Sequence, residues 1–270
     1  MEKRVSVSIS DGVADVRLVR ADKMNALDAA MFEAIVAASD RLAHEKGLRA
    51  VVLSGEGRSF CAGLDMGRFA AMKDNGGNGI AGGEKRDLTE RTRGLANFPQ
   101  QAVWGWRQLA VPVIAAIQGV AFGGGFQLAL GADMRFLAPD ARMSIMEIKW
   151  GLVPDMAGTP ILASLVRDDI LRELTYTGRI FSAQEAMTYG LATRICDDPR
   201  VAALELAREI AGKSPEAIRA DKRLLNNLAI DPGPALLAES VEQMKLMGGA
   251  NQLEAVRANI DKRAPRFADV

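Results

Sequence analysis

Histidine occurs once in these 270 residues, and cysteine and tyrosine twice each. With one histidine there is no multi-histidine metal site, and a Ser-His-Asp triad would have to be built on His44. That residue stands beside Glu45 and Lys46 at the end of a predicted helix, where a solvated cation suits the helix dipole. Cys61 and Cys196 are too few for a disulfide framework or a four-cysteine zinc site. Both read as small buried apolar residues, and a reducing, cytoplasmic compartment fits them. Neither sign of charge dominates, since 34 Lys and Arg face 34 Asp and Glu. A nucleic-acid binder would show a basic excess. The N-terminus, MEKRVSVSISDG, has no apolar run and is not a signal peptide. Leu109 to Ala132 holds no charged residue, a length that would span a bilayer. It also holds Pro112, Gln118 and five glycines. It therefore reads as strand, glycine turn and helix, and no membrane span is expected. No HExxH motif or EF-hand loop is present. Gly77-Asn-Gly-Ile-Ala-Gly82 fits GxGxxG, but no strand leads into it. Gly212-Lys-Ser214 looks like the end of a P-loop, but Ala207 stands where that loop needs glycine. Kinases, nucleotide dehydrogenases and metallohydrolases are thus poorly supported.

What is present is ordinary for a globular chain: 49% hydrophobic and 25% charged residues. At about 150 residues per domain, the length allows one or two domains. Val5–Ser10 and Val13–Arg20 alternate around Asp11-Gly12, a strong hairpin signal. Asp28 is placed to cap a helix running to about His44. Arg49–Ser54, Val113–Gln118, Met134–Ala138 and Leu191–Cys196 read as buried strands, with a helix over Gly124–Ala132. Strand, helix and strand alternate, which is α/β patterning. Residues 67–105 read as a Gly- and charge-rich loop, a common place for a lid. Ser182-Ala-Gln-Glu185 is a capping box, and Gly190 is set to stop its helix. Beyond Pro199 only helices are expected: 199–211, 215–228 capped by Ser214, about 234–247, and 252–263. The chain divides on this reading into a core over 1–198 and a helical subdomain over 199–270.

Two segments carry chemistry. Ser59-Phe-Cys-Ala-Gly-Leu-Asp65 and Gly119-Val-Ala-Phe-Gly-Gly-Gly-Phe-Gln127 each follow a strand and enter a tight, small-residue turn. Such turns expose backbone N–H groups, and two of them aimed at one point form an oxyanion hole. Either turn alone is more often a packing device.

Taken together, FCAGLD, AAIQGVAFGGGFQLALGADMR and ARMSIMEIKWGLVPDMAGT resemble the crotonase superfamily, the enoyl-CoA hydratase/isomerase family. The resemblance starts at Asp22-Lys-Met-Asn-Ala-Leu27 and runs through Ser182-AQEAMTYGLATRI to Ser214-Pro-Glu-Ala and Lys222. It implies a spiral of ββα units with an all-helical C-terminal subdomain that builds trimers, some paired into hexamers. It implies an acyl-CoA thioester as substrate, with no cofactor or metal beyond the substrate's own coenzyme A. The thioester oxygen would sit between the backbone N–H groups of Leu64 and Gly124. Substrate contacts would fall on Met24, Ala26, Ala62, Gly63, Asp65, Met66 and Gly123. Phe122, Phe126, Trp106 and Trp150 would help to set the pocket.

The same resemblance names three candidates for proton transfer. Hydratases place their first glutamate where this chain has Gln127, and an amide cannot take a proton. Gln127 would hold a substrate group or a water, or exclude one. The second glutamate matches Glu147. Asp155 matches an aspartate that moves protons in dienoyl-CoA isomerases and is the nucleophile in aryl-CoA dehalogenases. On residue pattern alone, Glu147 fits a surface pair with Lys149, and Asp155 fits a cap for a helix near Gly158. The resemblance favours an enoyl-CoA isomerase-type proton shuttle. In it Glu147 is the base, Asp155 assists, and Leu64 and Gly124 hold the enolate. Hydration, an Asp155-dependent hydrolase or dehalogenase, and a crotonase-fold binding protein are the alternatives.

Overall fold

A computed structural model describes residues 3–67, 87–213, 215–226, 233–263 and 265. The GxGxxG-like run and much of the expected lid lie outside these residues. Strands β1 (Val5–Ser10) and β2 (Val13–Leu18) form the hairpin on Asp11-Gly12, with Val7 opposite Val16. Helix α1 (Ala29–Ala43) is capped by Asp28, whose carboxylate accepts from the Met31 N–H at 2.7 Å. Strands β3 (Ala50–Gly55), β4 (Val113–Ile117), β6 (Met134–Leu137) and β9 (Arg194–Ile195) join in parallel, giving the order β1-β2-β3-β4-β6-β9. A second sheet holds β5 (Val120–Phe122), β7 (Arg142–Ser144) and β8 (Phe181–Ser182) in the order β5-β7-β8.

β3 and β4 are buried on both faces, so their side chains divide by twos between two cores. Val51, Leu53, Val113, Ala115 and Ile117 join the larger core beneath α1. Ala50, Val52, Ile114 and Ala116 join a smaller one, closed by Ala203 and Ala207 of a later helix, Pro199–Ala211. Parallel strands need crossovers, and here these are helices α1, α2 (Phe98–Gln108) and α3 (Gly124–Leu130).

Helix α2 corrects the loop expected over 67–105. Asn97 and Gln100 make a full capping box and Pro99 sits in the first turn, where its missing N–H costs nothing. Strands β5, β7 and β8 leave no mark in the sequence, because two or three residues give too short a run to show a period. The strand expected at Leu191–Cys196 shrinks to Arg194–Ile195. Cys61 is buried, but Cys196 is half-exposed, against the expectation for it. Of the apparent membrane run, the structure makes β4, β5 and α3. Among the described residues no helix is long and apolar enough to cross a membrane.

The remaining helices are α4 (Gly158–Leu162), α5 (Asp168–Thr177), α6 (Ala183–Thr188), α7 (Pro199–Ala211), α8 (Pro215–Asn226), α9 (Gly233–Leu246) and α10 (Ala250–Ile260). The capping box at Ser182 forms as expected. α10 packs against the short 3-10 turn Glu147–Trp150, which brings the end of the chain back over the middle of it.

Candidate active site

The two glycine turns meet because they run in parallel register. The Cys61 N–H donates to the Val120 carbonyl at 3.0 Å, and the Phe122 N–H to the Cys61 carbonyl at 3.1 Å. Cys61 thus pairs with Ala121, so three residues further Leu64 falls beside Gly124. Gly63 and Gly123 have φ of +87° and +49°, values that favour glycine. A Cβ on Gly63 would lie 2.5 Å from the Phe122 carbonyl oxygen, and 3.8 Å from the Gly124 nitrogen.

A third segment holds the first turn in place. The Leu27 N–H donates to the Gly63 carbonyl at 2.8 Å, and the Asp65 N–H returns to the Leu27 carbonyl at 3.1 Å. In this parallel bridge Leu64 turns its own N–H to the opposite side. Among the described residues neither the Leu64 N–H nor the Gly124 N–H has a hydrogen-bond acceptor. Two donors on adjoining turns are therefore open toward one place. The segment around Leu27 is pinned by Asn25, which lies in left-handed backbone at φ +55°. The Asn25 side chain accepts from the Arg20 N–H and donates to the Glu56 and Ser59 carbonyls.

That place opens on a cavity of about 430 Å³. Met24, Ala62, Gly63, Leu64, Met66, Gly123, Gly124, Glu147 and Asp155 all line it, as do Phe122 and Trp150. Phe126 and Trp106 do not line it and are buried in the larger core, where Phe126 meets Phe181 edge-on. Ala26 and Asp65 are also off the lining. The Ala26 carbonyl accepts from Arg20, and Asp65 is paired with the Arg20 guanidinium at 2.6 Å. Partial burial pushes the Asp65 carboxyl up, but the Gly67 N–H and Arg20 outweigh it and hold the group below its ordinary value.

Glu147 is not a surface partner of Lys149. It is buried, and its Oε1 accepts from Gln127 Nε2 at 2.7 Å. A Cβ on Gly123 would come within 3.4 Å of that same Oε1. Glu147 Oε2 is buried with no hydrogen-bond partner among the described residues. Burial raises its pKa to about 7, against the opposing pull of nearby backbone N–H groups and the Gln127 amide. A carboxyl poised there can both take and return a proton at neutral pH.

Gln127 stands behind Glu147, away from the cavity lining. Its Oε1 accepts from the Met156 and Gly158 N–H groups at 2.9 and 3.0 Å, which leaves Nε2 to face Glu147. Lys149 extends over the Trp150 ring, 5.5 Å from its centroid. Sequence reasoning does not single out Arg20 or the tail residues Gln243 and Asn259, which line the cavity from α9 and α10. No local pattern marks Gln243 and Asn259, because only the return of the helical tail brings them there.

A profile described as "Enoyl-CoA hydratase/isomerase" matches residues 8–270. A "Carnitinyl-CoA dehydratase" of Proteus mirabilis is 32% identical over 99% of both chains. A peroxisomal "Delta(3,5)-Delta(2,4)-dienoyl-CoA isomerase" of Arabidopsis thaliana is 31% identical over 92% of this chain and 90% of its own. Among solved structures, an enoyl-CoA hydratase/isomerase of Pseudoalteromonas atlantica superposes with a TM-score of 0.82 at 27% identity. It covers 98% of this chain and 100% of its own.

Proposed function

Because the chain belongs to the enoyl-CoA hydratase/isomerase family, we propose that it moves a proton on the acyl group of a coenzyme A thioester. The thioester oxygen is received by the Leu64 and Gly124 N–H groups, and Glu147 removes a proton from the carbon beside the carbonyl. The electron pair left behind spreads onto the thioester oxygen as an enolate. Each well-aimed donor in such a hole contributes on the order of 3 kcal/mol. The proton then returns at another carbon, from Glu147 or with the help of Asp155, which moves the double bond without adding water.

The observation that carries this reading is the coupling of one buried, near-neutral carboxyl to two open backbone donors on a single cavity. Gln127 is a positioning residue here. Its carbonyl is engaged by two backbone N–H groups, and its amide fixes Glu147 rather than a water in the cavity.

Hydration is the second reading. Glu147 and Asp155 line the same cavity, and that pair supports a water held between two carboxyl groups. Relatives named as dehydratase and as isomerase are similar to nearly the same degree.

Proton exchange in deuterated water separates the two, using 2-enoyl-, 3-enoyl- and saturated acyl-CoA with wild type, Glu147→Gln and Asp155→Asn. The isomerase reading expects 3-enoyl-CoA to become 2-enoyl-CoA with solvent deuterium and no gain of water, and Glu147→Gln to abolish this. A gain of water by 2-enoyl-CoA favours hydration. No exchange with any of them overturns both.

A further inference from the structure

The cavity is apolar apart from a few groups, and one of these comes from the far end of the chain. Gln243 on α9 lines the cavity and is 1% exposed. Its Oε1 accepts from the Val153 N–H at 3.3 Å. A backbone N–H can meet only the oxygen end of a carboxamide, which fixes which way the group is turned. Nε2 is then the free arm, and among the described residues it donates to nothing. Gln243 lines the cavity, so a ligand oxygen entering there can take this N–H in place of water.

We propose that Gln243 is a specificity residue whose Nε2–H donates to an uncharged oxygen on the acyl group, away from the thioester. This rests on the acyl-CoA reading above and narrows it: the substrate is an acyl-CoA with a hydroxyl or carbonyl on its chain, not a plain alkyl chain. The charges lining the cavity favour a neutral oxygen. Asp155 would oppose a carboxylate on the acyl chain, and the one lysine on the lining, Lys149, is drawn over the Trp150 ring. A hydroxyl can also donate while it accepts, so it can be satisfied beside Asp155.

Calorimetric binding of the full chain to a matched series tests this. The series is hexanoyl-CoA, its terminal and penultimate hydroxy analogues, the penultimate oxo analogue, and adipoyl-CoA as the carboxylated member. Wild type should bind at least one hydroxy or oxo analogue about two- to tenfold more tightly than hexanoyl-CoA, the range for one neutral hydrogen bond. Gln243→Leu should bring that ratio to about one. Gln243→Glu keeps an acceptor for Val153 but has no amide donor, so it should also lose the preference, which guards against misfolding of the leucine variant. Three results overturn the assignment: equal binding across the series by wild type, a preference that survives both substitutions, or strongest binding of adipoyl-CoA. If no acyl-CoA binds at all, the acyl-CoA reading falls and this proposal with it. Binding of hexanoyl-CoA without preference removes only the role of Gln243.

Discussion

At the scale of single residues, Glu147 is the most exposed to test. Its pKa near 7 predicts that turnover rises with pH through about 7, as the carboxyl becomes a base. Glu147→Gln should lower turnover by about 10²–10⁴-fold, the usual contribution of a positioned acid–base group. Stability carries the opposite sign. The folded state holds a proton on Glu147 that the unfolded chain releases near the ordinary value of 4.5, so stability falls as pH rises from about 4.5 to about 7. Each pH step of one across that window costs about 1.4 kcal/mol, so the full penalty above pH 7 is about 3 kcal/mol. Thermal melts at pH 5 and pH 8 should therefore show a loss in wild type that is much smaller in Glu147→Gln. Gln127 enters through the same carboxyl. Gln127→Leu removes a donor to Glu147 and should move the pH midpoint of turnover upward. It also leaves the Met156 and Gly158 N–H groups without their acceptor, at about 1–3 kcal/mol of stability each. An unchanged midpoint would argue against its positioning role.

At the scale of elements, the site depends on two turns in fixed register. Gly63→Ala combines a positive φ with a Cβ 2.5 Å from the Phe122 carbonyl oxygen, so the turns must move apart. Turnover should fall by more than about tenfold even in protein that still folds, because a hole loses its effect when one donor is misaimed. Kinetics on the purified variant, beside its circular dichroism, checks this. The hairpin, α1, the capped helix after Ser182 and the tail helices are all legible in the sequence, because caps, turns and periods are local signals. Helix α2 is legible in principle too: Asn97, Pro99 and Gln100 spell its start, but the glycine-rich run before it draws the whole stretch toward a loop. Strands β5, β7 and β8 have no such signal. They exist because Gly119–Phe122 and Arg142–Ser144 find each other in space.

At the scale of the whole molecule, the helical tail is anchored by apolar packing of Ala203, Ala207, Leu236 and Val256 and by buried polar ties. Lys222 of α8 is 6% exposed and donates to Asp133 and to the Val111 carbonyl, both at 2.8 Å. Burial pulls its pKa down, and Asp133 opposes that pull. Lys222→Ala leaves the Val111 carbonyl without this donor, while Asp133 is part-exposed and keeps the Val113 N–H, so it should cost about 1–3 kcal/mol, measured by denaturant unfolding. Ser240 and Asn259 make further ties, to Asn97 and to the Lys149 carbonyl. Through these contacts the tail returns to the cavity that the middle of the chain builds.

The sequence by itself determined that two glycine turns would follow buried strands, and that Asp28 and Ser182 would cap helices. Those facts are written in residue types and short spacings. Only the tertiary structure decided how the same residues are used. It set Asp65 against Arg20 and off the cavity lining, turned Gln127 toward Glu147, and withdrew Phe126 and Trp106 into the core. It also carried Gln243 from a distant part of the chain to the cavity wall. Backbone pattern is local, whereas the direction of an amide, the burial of a carboxyl and the lining of a cavity depend on neighbours that only the folded chain supplies.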